Sequence, residues 1–266
     1  MGDRQARRLS KRRRTGAVTS ARKAAARVRH ATFGRKLRAW YRANGRDLPW
    51  RATRDPYRVL VSELMLQQTQ VSRVLGYYER FLERFPTLAS LAAAPPRHVR
   101  ETWEGLGYYA RARNLHRLAR QITRGGDAGK TLPADPESLR KLPGIGAYTA
   151  GAVASFAYER RAELVDTNVA RVLRRAFLPN VNHATASGQR EIWSLARALL
   201  PRTGRATWTH NQALMELGAL ICTARLARCG ECPVRRECAT GRRGLARITS
   251  RRGSASGRSE SSRKAR

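Results

Sequence analysis

Four cysteines, Cys222, Cys229, Cys232 and Cys238, fall within the run CTARLARCGECPVRREC, and the chain has no others. In a reducing compartment, clustered thiols serve as metal ligands more often than as disulfides. Structural zinc sites usually pair two short C-x2-C knuckles, and this run has one. Four thiolates around an iron–sulfur cluster therefore fit the spacing better, with zinc remaining an alternative. Arg225, Arg228, Arg235 and Arg236 stand between or beside these ligands, where their guanidinium groups can reach phosphates.

Two acids suggest a second chemistry. Glu63 lies in VLVSELMLQQTQV with Val59 four residues before it and Gln67 four after, so no cation on its own helix face pairs with it. A carboxyl without a partner in apolar surroundings has its pKa pushed up, which suits a general acid at neutral pH. The plainer alternatives are a side chain facing water or an arginine arriving from elsewhere. Asp166 and Asn168, in ELVDTNVARVLRR, stand just before an amphipathic pattern, where helix capping explains either residue. A second acid can also supply the negative charge that a sugar oxocarbenium ion needs.

A third motif, KLPGIGAYTAG, predicts a hairpin. Pro143 stops one helix, Gly144 and Gly146 permit a tight path, and helical spacing restarts at Tyr148. Such a turn exposes amide N–H groups at a helix start, a seat for a phosphate, and it is equally an ordinary connection between helices. The QQTQ that follows the Glu63 helix reads as a solvated face or a DNA contact.

The elements that must hold these residues are helical. Val169, Val172, Leu173, Ala176 and Phe177 form one stripe with arginines opposite, and Leu115, Leu118 and Ile122 form another. Breaks fall at Pro95-Pro96, Gly125-Gly126, Pro133, Pro143-Gly144 and Pro201, and no alternating strand pattern stands out, so the fold is expected to be all-α. At 266 residues the chain can bury a sizeable core. No stretch approaches the roughly 18 apolar residues of a membrane span, and the Arg-rich start lacks the apolar segment of a secretory signal. The expectation is a soluble, cytoplasmic, nucleoid-associated monomer. Lys and Arg number 54 against 19 acids, a formal charge of +35, and nucleic acid is the partner this implies. Residues 1–30 hold eleven basic side chains and 241–266 hold nine, each with one acid, and both ends read as disordered basic tails.

Taken in order, LPWR, SELMLQQTQV, GLGYYARARNLH, LPGIGAYTAG, the Asp166 loop, ELGALIC and the four cysteines resemble the helix-hairpin-helix DNA glycosylases of the endonuclease III superfamily, from about Leu48 to Cys238. Within it they look most like the adenine glycosylases of the MutY type. The resemblance implies two helical subdomains, 31–49 plus 161–240 and 50–160, and a [4Fe-4S] cluster on Cys222, Cys229, Cys232 and Cys238 that shapes a basic loop against DNA. It implies that Glu63 protonates a flipped adenine, that Asp166 stabilises the sugar cation, and that Tyr148 and Asn168 position the sugar. Trp50, Arg51 and Gln212 would line the base pocket, Gln68 and Tyr108 would wedge a duplex carrying a mispaired or damaged base, and Gly144 and Gly146 would meet its backbone.

One position discriminates subfamilies, and two features depart from the family pattern, the second of them a small change. Bifunctional relatives carry a nucleophilic lysine where this chain has Tyr148, which implies base removal without efficient strand cleavage. Full-length MutY-type enzymes usually carry a further Nudix-like domain that inspects 8-oxoguanine, and here a basic tail stands instead, which leaves the opposite-base preference open. Thr167 stands where glycine is common. The competing readings are a thymine or uracil mismatch glycosylase, whose members generally lack the acid at Glu63, and a noncatalytic iron–sulfur DNA-binding protein. Because phosphate neutralisation releases counterions, affinity for duplex DNA should fall by roughly three orders of magnitude or more between 50 and 200 mM salt, read by fluorescence anisotropy.

Overall fold

The computed structural model describes residues 24–124 and 131–244. Their regular structure is helical, apart from one isolated bridge between Cys222 and Ala227 in the cysteine loop. Helix α1 covers 24–44, a 3-10 turn Pro49–Arg51 follows, and then come α2 (Pro56–Leu66), α3 (Val71–Arg84), α4 (Leu88–Ala93), α5 (Pro96–Thr102) and α6 (Ala110–Thr123). After these stand α7 (Pro136–Leu139), α8 (Ala147–Phe156), α9 (Thr167–Phe177), α10 (Ala186–Leu199), α11 (Gly204–Leu220) and α12 over 239–244. Among the described residues no helix is long and apolar enough to cross a membrane.

Helices α2 to α8 pack among themselves, with α2 against α3, α6 and α8, and α6 against α4 and α5. Helix α9 packs on α10 and α11, and α11 also touches α8. Helix α1 joins this second group, for Phe33 meets Phe177 of α9 edge-on at 4.9 Å and Tyr41 meets Trp208 of α11 at 6.3 Å. Local signals set the ends. Asp55 caps α2 by accepting from the Arg58 N–H at 2.9 Å, with Pro56 at the first helical position. Thr87 and Ser90 form a reciprocal capping box on α4.

Two expected tail boundaries move. Residues 24–30, expected in the basic tail, are already helical. The Arg29 guanidinium lies 4.7 Å from the Phe177 ring centroid and the His30 ring packs edge-on against the same ring at 4.8 Å. A count of apolar residues overlooks this kind of packing, in which a cation and an imidazole cover an aromatic face. Residues 241–244 are likewise helical, with the Gly241 N–H directed at Cys238 Sγ. The rest of both expected tails, and Gly125-Gly126, lie outside the described residues.

His210 of α11 is completely buried, and neither ring nitrogen has a hydrogen-bond partner among the described residues. Burial, reinforced by the Arg38 charge, pulls its pKa down to about 3. An imidazole protonates more readily once unfolded, so the fold loses stability as pH falls below about 6.5, the reference value. Urea midpoints should therefore drop between pH 7 and pH 5 in the wild type, and His210→Phe should flatten that drop.

Candidate active site and thiol loop

Where α2 crosses α8, the Glu63 side chain is only 4% exposed. It accepts a hydrogen bond from the Tyr148 hydroxyl at 2.7 Å, and it forms no ion pair among the described residues. Burial pushes its pKa up to about 7, the Tyr148 bond opposing, the Asp166 charge adding to the rise and Arg51 subtracting from it. Neither plain alternative, a solvated acid or a direct arginine partner, is what the fold builds. The crossing is pinned nearby by Gln67 Nε2, which donates to Thr149 Oγ1 at 3.2 Å.

Asp166 is the N-cap of α9, its Oδ1 accepting from the Val169 N–H at 2.6 Å and its Oδ2 from Asn168 Nδ2 at 2.9 Å. It is a cap and a neighbour of Glu63 at once, because its charge is felt there. Burial raises its own pKa against the pull of these hydrogen bonds. Asn168 stands in the first turn of α9, one position inside the helix that it was expected to precede. Its Oδ1 accepts from Arg171 Nη2 at 2.6 Å, and Arg171 Nε donates to the Cys222 carbonyl at 2.8 Å. A Cβ on Gly218 would come within 2.6 Å of Asn168 Cβ, so only glycine lets α11 approach α9 here.

The expected base-pocket residues are held by an acid that sequence reasoning missed. Arg51 Nε donates to Gln212 Oε1 at 2.9 Å, and Arg51 Nη2 donates to Glu216 Oε2 at 2.8 Å. Glu216, fully buried, also accepts from the Arg46 backbone N–H and side chain at 2.8–2.9 Å. Burial alone would raise this carboxyl, but the bonds from Arg46 and Arg51 outweigh it and bring its pKa down to about 2. Trp50 is buried and packs edge-on against Tyr78 at 5.5 Å.

At the hairpin, α7 ends at Leu139, four residues before Pro143, and a turn carries the chain to Gly144. Gly144 has φ +78°, and a Cβ there would meet Asn114 at 2.7 Å. Gly146, the N-cap of α8, has open space where a Cβ would stand. Gln68 and Tyr108 are exposed, and both adopt left-handed backbone, with φ 57° and 48°. Such a conformation is uncommon outside glycine.

All four cysteines are partly buried and line one cavity together with Arg175 and Arg235. Arg175 Nη1 lies 3.3 Å from Cys222 Sγ, and the Cys238 thiol donates to the Arg175 carbonyl at 3.3 Å. Burial pushes the Cys232 thiol up to about 11, with the other three sulfurs adding to the rise. Among the described residues no three His, Cys, Asp or Glu side chains converge as ligands of a single metal ion.

The chain belongs to the HhH-GPD superfamily of base excision DNA repair proteins, whose family pattern matches residues 61–198, about half the chain. It is 41% identical over 215 residues to the adenine DNA glycosylase of Rattus norvegicus, covering 77% of this chain and 41% of that protein. It is 47% identical over 200 residues to the adenine DNA glycosylase of Mycolicibacterium smegmatis, covering 75% and 66%. The chain thus spans well under half of the rat relative's length. Among solved structures it is similar to a thermostable thymine-DNA glycosylase, with TM-score 0.74 and 29% identity over 82% of this chain and 99% of that one. A trapped endonuclease III–DNA intermediate shares the fold, with TM-score 0.65 and 24% identity over 80% and 95%.

Because Glu63 loses its proton more readily once unfolded, its burial contributes stability below the reference pKa of 4.5 that is lost as pH rises through about 7. Glu63→Gln should raise stability at pH 8 by on the order of 2–3 kcal/mol and leave it nearly unchanged at pH 4, measured by urea unfolding.

Proposed function

We propose that the protein removes adenine mispaired with 8-oxoguanine or guanine from duplex DNA, hydrolysing the N-glycosidic bond without cutting the strand. The observation that carries this reading is Glu63: a buried carboxyl, hydrogen-bonded by Tyr148, that holds its proton near neutral pH beside a second acid. In the reaction the Glu63 proton passes to an imidazole-ring nitrogen of the extruded adenine. The base leaves with the bonding electron pair, and C1′ becomes cationic. The Asp166 carboxylate offsets that charge. Water adds to C1′ and gives its proton to the Glu63 carboxylate, which restores the acid. Tyr148 supplies no amine, so no Schiff base with the sugar forms.

DNA binding is supported by the +35 charge, by the open space at Gly146 in the hairpin, and by Gln68 and Tyr108, which protrude as side chains able to fill the gap left by an extruded base. We further propose that Cys222, Cys229, Cys232 and Cys238 hold a [4Fe-4S] cluster. Four thiols that line one cavity, with a single short C-x2-C knuckle among them, suit an iron–sulfur cluster better than a structural zinc, which usually takes two such knuckles. When bound, the group supplies a rigid core for the loop and a redox-active centre. The resemblance in structure to a thymine-DNA glycosylase supports a second reading, removal of thymine or uracil opposite guanine. Glu63 favours adenine.

Duplexes containing A:8-oxoguanine, A:G, T:G, U:G and hypoxanthine, scored for abasic sites after alkali, test these readings together. Adenine release should dominate, decline as pH rises past about 7 with the loss of the Glu63 proton, and fall roughly 100- to 10,000-fold in Glu63→Gln. Thymine release without adenine release would overturn the substrate assignment. Borohydride should trap no covalent complex, and the purified protein should be brown.

A further inference from the structure

We propose that Arg111 is a positioning residue that sets Gln68 and Tyr108 as a pair and ties both to the helix carrying Glu63. The inference rests on the glycosylase reading above and extends it to how base extrusion is coupled to the acid.

Arg111 lies in the first turn of α6, is 7% exposed and forms no ion pair among the described residues. Its charge is held by carbonyls. Nη1 donates to the carbonyl oxygens of Leu64 at 2.8 Å and Met65 at 2.9 Å, and to that of Gln67. Nη2 donates to the carbonyls of Leu106 at 3.1 Å and Gly107 at 3.0 Å, and both nitrogens reach the Thr69 hydroxyl at 3.3 Å. The two sides of one planar guanidinium thus serve two loops.

Which carbonyls they are decides the function. Gln67 and Gly107 belong to the peptide units directly before Gln68 and Tyr108, two of the three non-glycine residues with left-handed backbone among those described. Strain of this kind persists only where the surroundings over-determine it, and it clusters where a site is held ready for a ligand. Here one side chain fixes both strained positions. Leu64 and Met65 lie in the last turn of α2, where carbonyls lack helical partners, and Leu64 directly follows Glu63. A duplex that presses on either protruding side chain therefore loads, through Arg111, the turn that carries the acid. The guanidinium carbon also stands 5.3 Å from the Tyr108 ring centroid and 5.5 Å from that of Trp103, which is wholly buried. Lysine, a point charge without a planar fork, cannot serve both loops.

The test compares Arg111→Lys, the double variant Gln68→Ala/Tyr108→Ala, and the triple variant, on duplexes in which 2-aminopurine reports extrusion by fluorescence and adenine reports base release in single turnover. Arg111→Lys should slow extrusion and release together by roughly 100-fold, with the decline in rate above pH 7 retained because Glu63 keeps its burial. Added to the double variant, the same substitution should cost less than about 3-fold, since the groups it positions are already gone. A full, additive loss on both backgrounds, or wild-type extrusion in Arg111→Lys, would overturn the proposal. Should Arg111→Lys unfold, Thr69→Val, which removes one hydroxyl acceptor of the same guanidinium, must show a smaller loss with the same non-additivity. Extrusion is read without catalysis. Wild-type protein that extrudes 2-aminopurine but releases no adenine would therefore count against the glycosylase reading alone.

Discussion

Removing one carboxyl from water, with a phenol as its hydrogen-bond partner and a second acid nearby, is the constraint on which the rest of the site is organised. Glu63 gains a proton-bearing state near neutrality because α2 and α8 close over it and no cation reaches it directly. Everything nearby serves that exclusion. Thr149 to Phe156 of α8 are buried without a break, mostly small residues that let neighbouring helices come close. Gln67 and Thr149 fasten the crossing, and Arg51, whose charge is felt at Glu63, is held in bonds with Gln212, Glu216 and the Arg46 carbonyl.

Glu216 shows how little of this outcome is local. It sits in ALMELGAL, an acid in an apolar helical run, the same signature that singles out Glu63. Yet burial leaves one near 7 and, once Arg46 and Arg51 arrive from 165 to 170 residues away, the other near 2. The difference lies in which element carries a guanidinium into contact. An acid in an apolar helix is a question that only tertiary structure answers.

For that reason the sequence was informative in some places and silent in others. Helical periodicity located α6 and α9, because that signal acts within a few residues. The cysteines were legible as a group through short spacing. Asp166 was legible as a cap from its local pattern, whereas its pairing with Glu63, across a hundred residues, was legible only through the family resemblance. Arg111 was missed altogether: it lies among many arginines, and nothing in ARARNLH separates the buried guanidinium from its exposed neighbours. The start of α1 was missed because arginine and histidine packing on Phe177 leaves no apolar trace.

Helix α8 has one more implication. Its interior positions are buried, and at Gly151 even a methyl group would stand 2.1 Å from the Glu163 carbonyl oxygen. Tyr148, in the first turn of the same helix, directs its hydroxyl to Glu63 at 2.7 Å and to Met215 Sδ at 3.5 Å. A substitution at that position can therefore change the group beside Glu63 without enlarging the buried body of the helix. The helix thus pairs a close-packed body with an end at which side-chain chemistry is open to change.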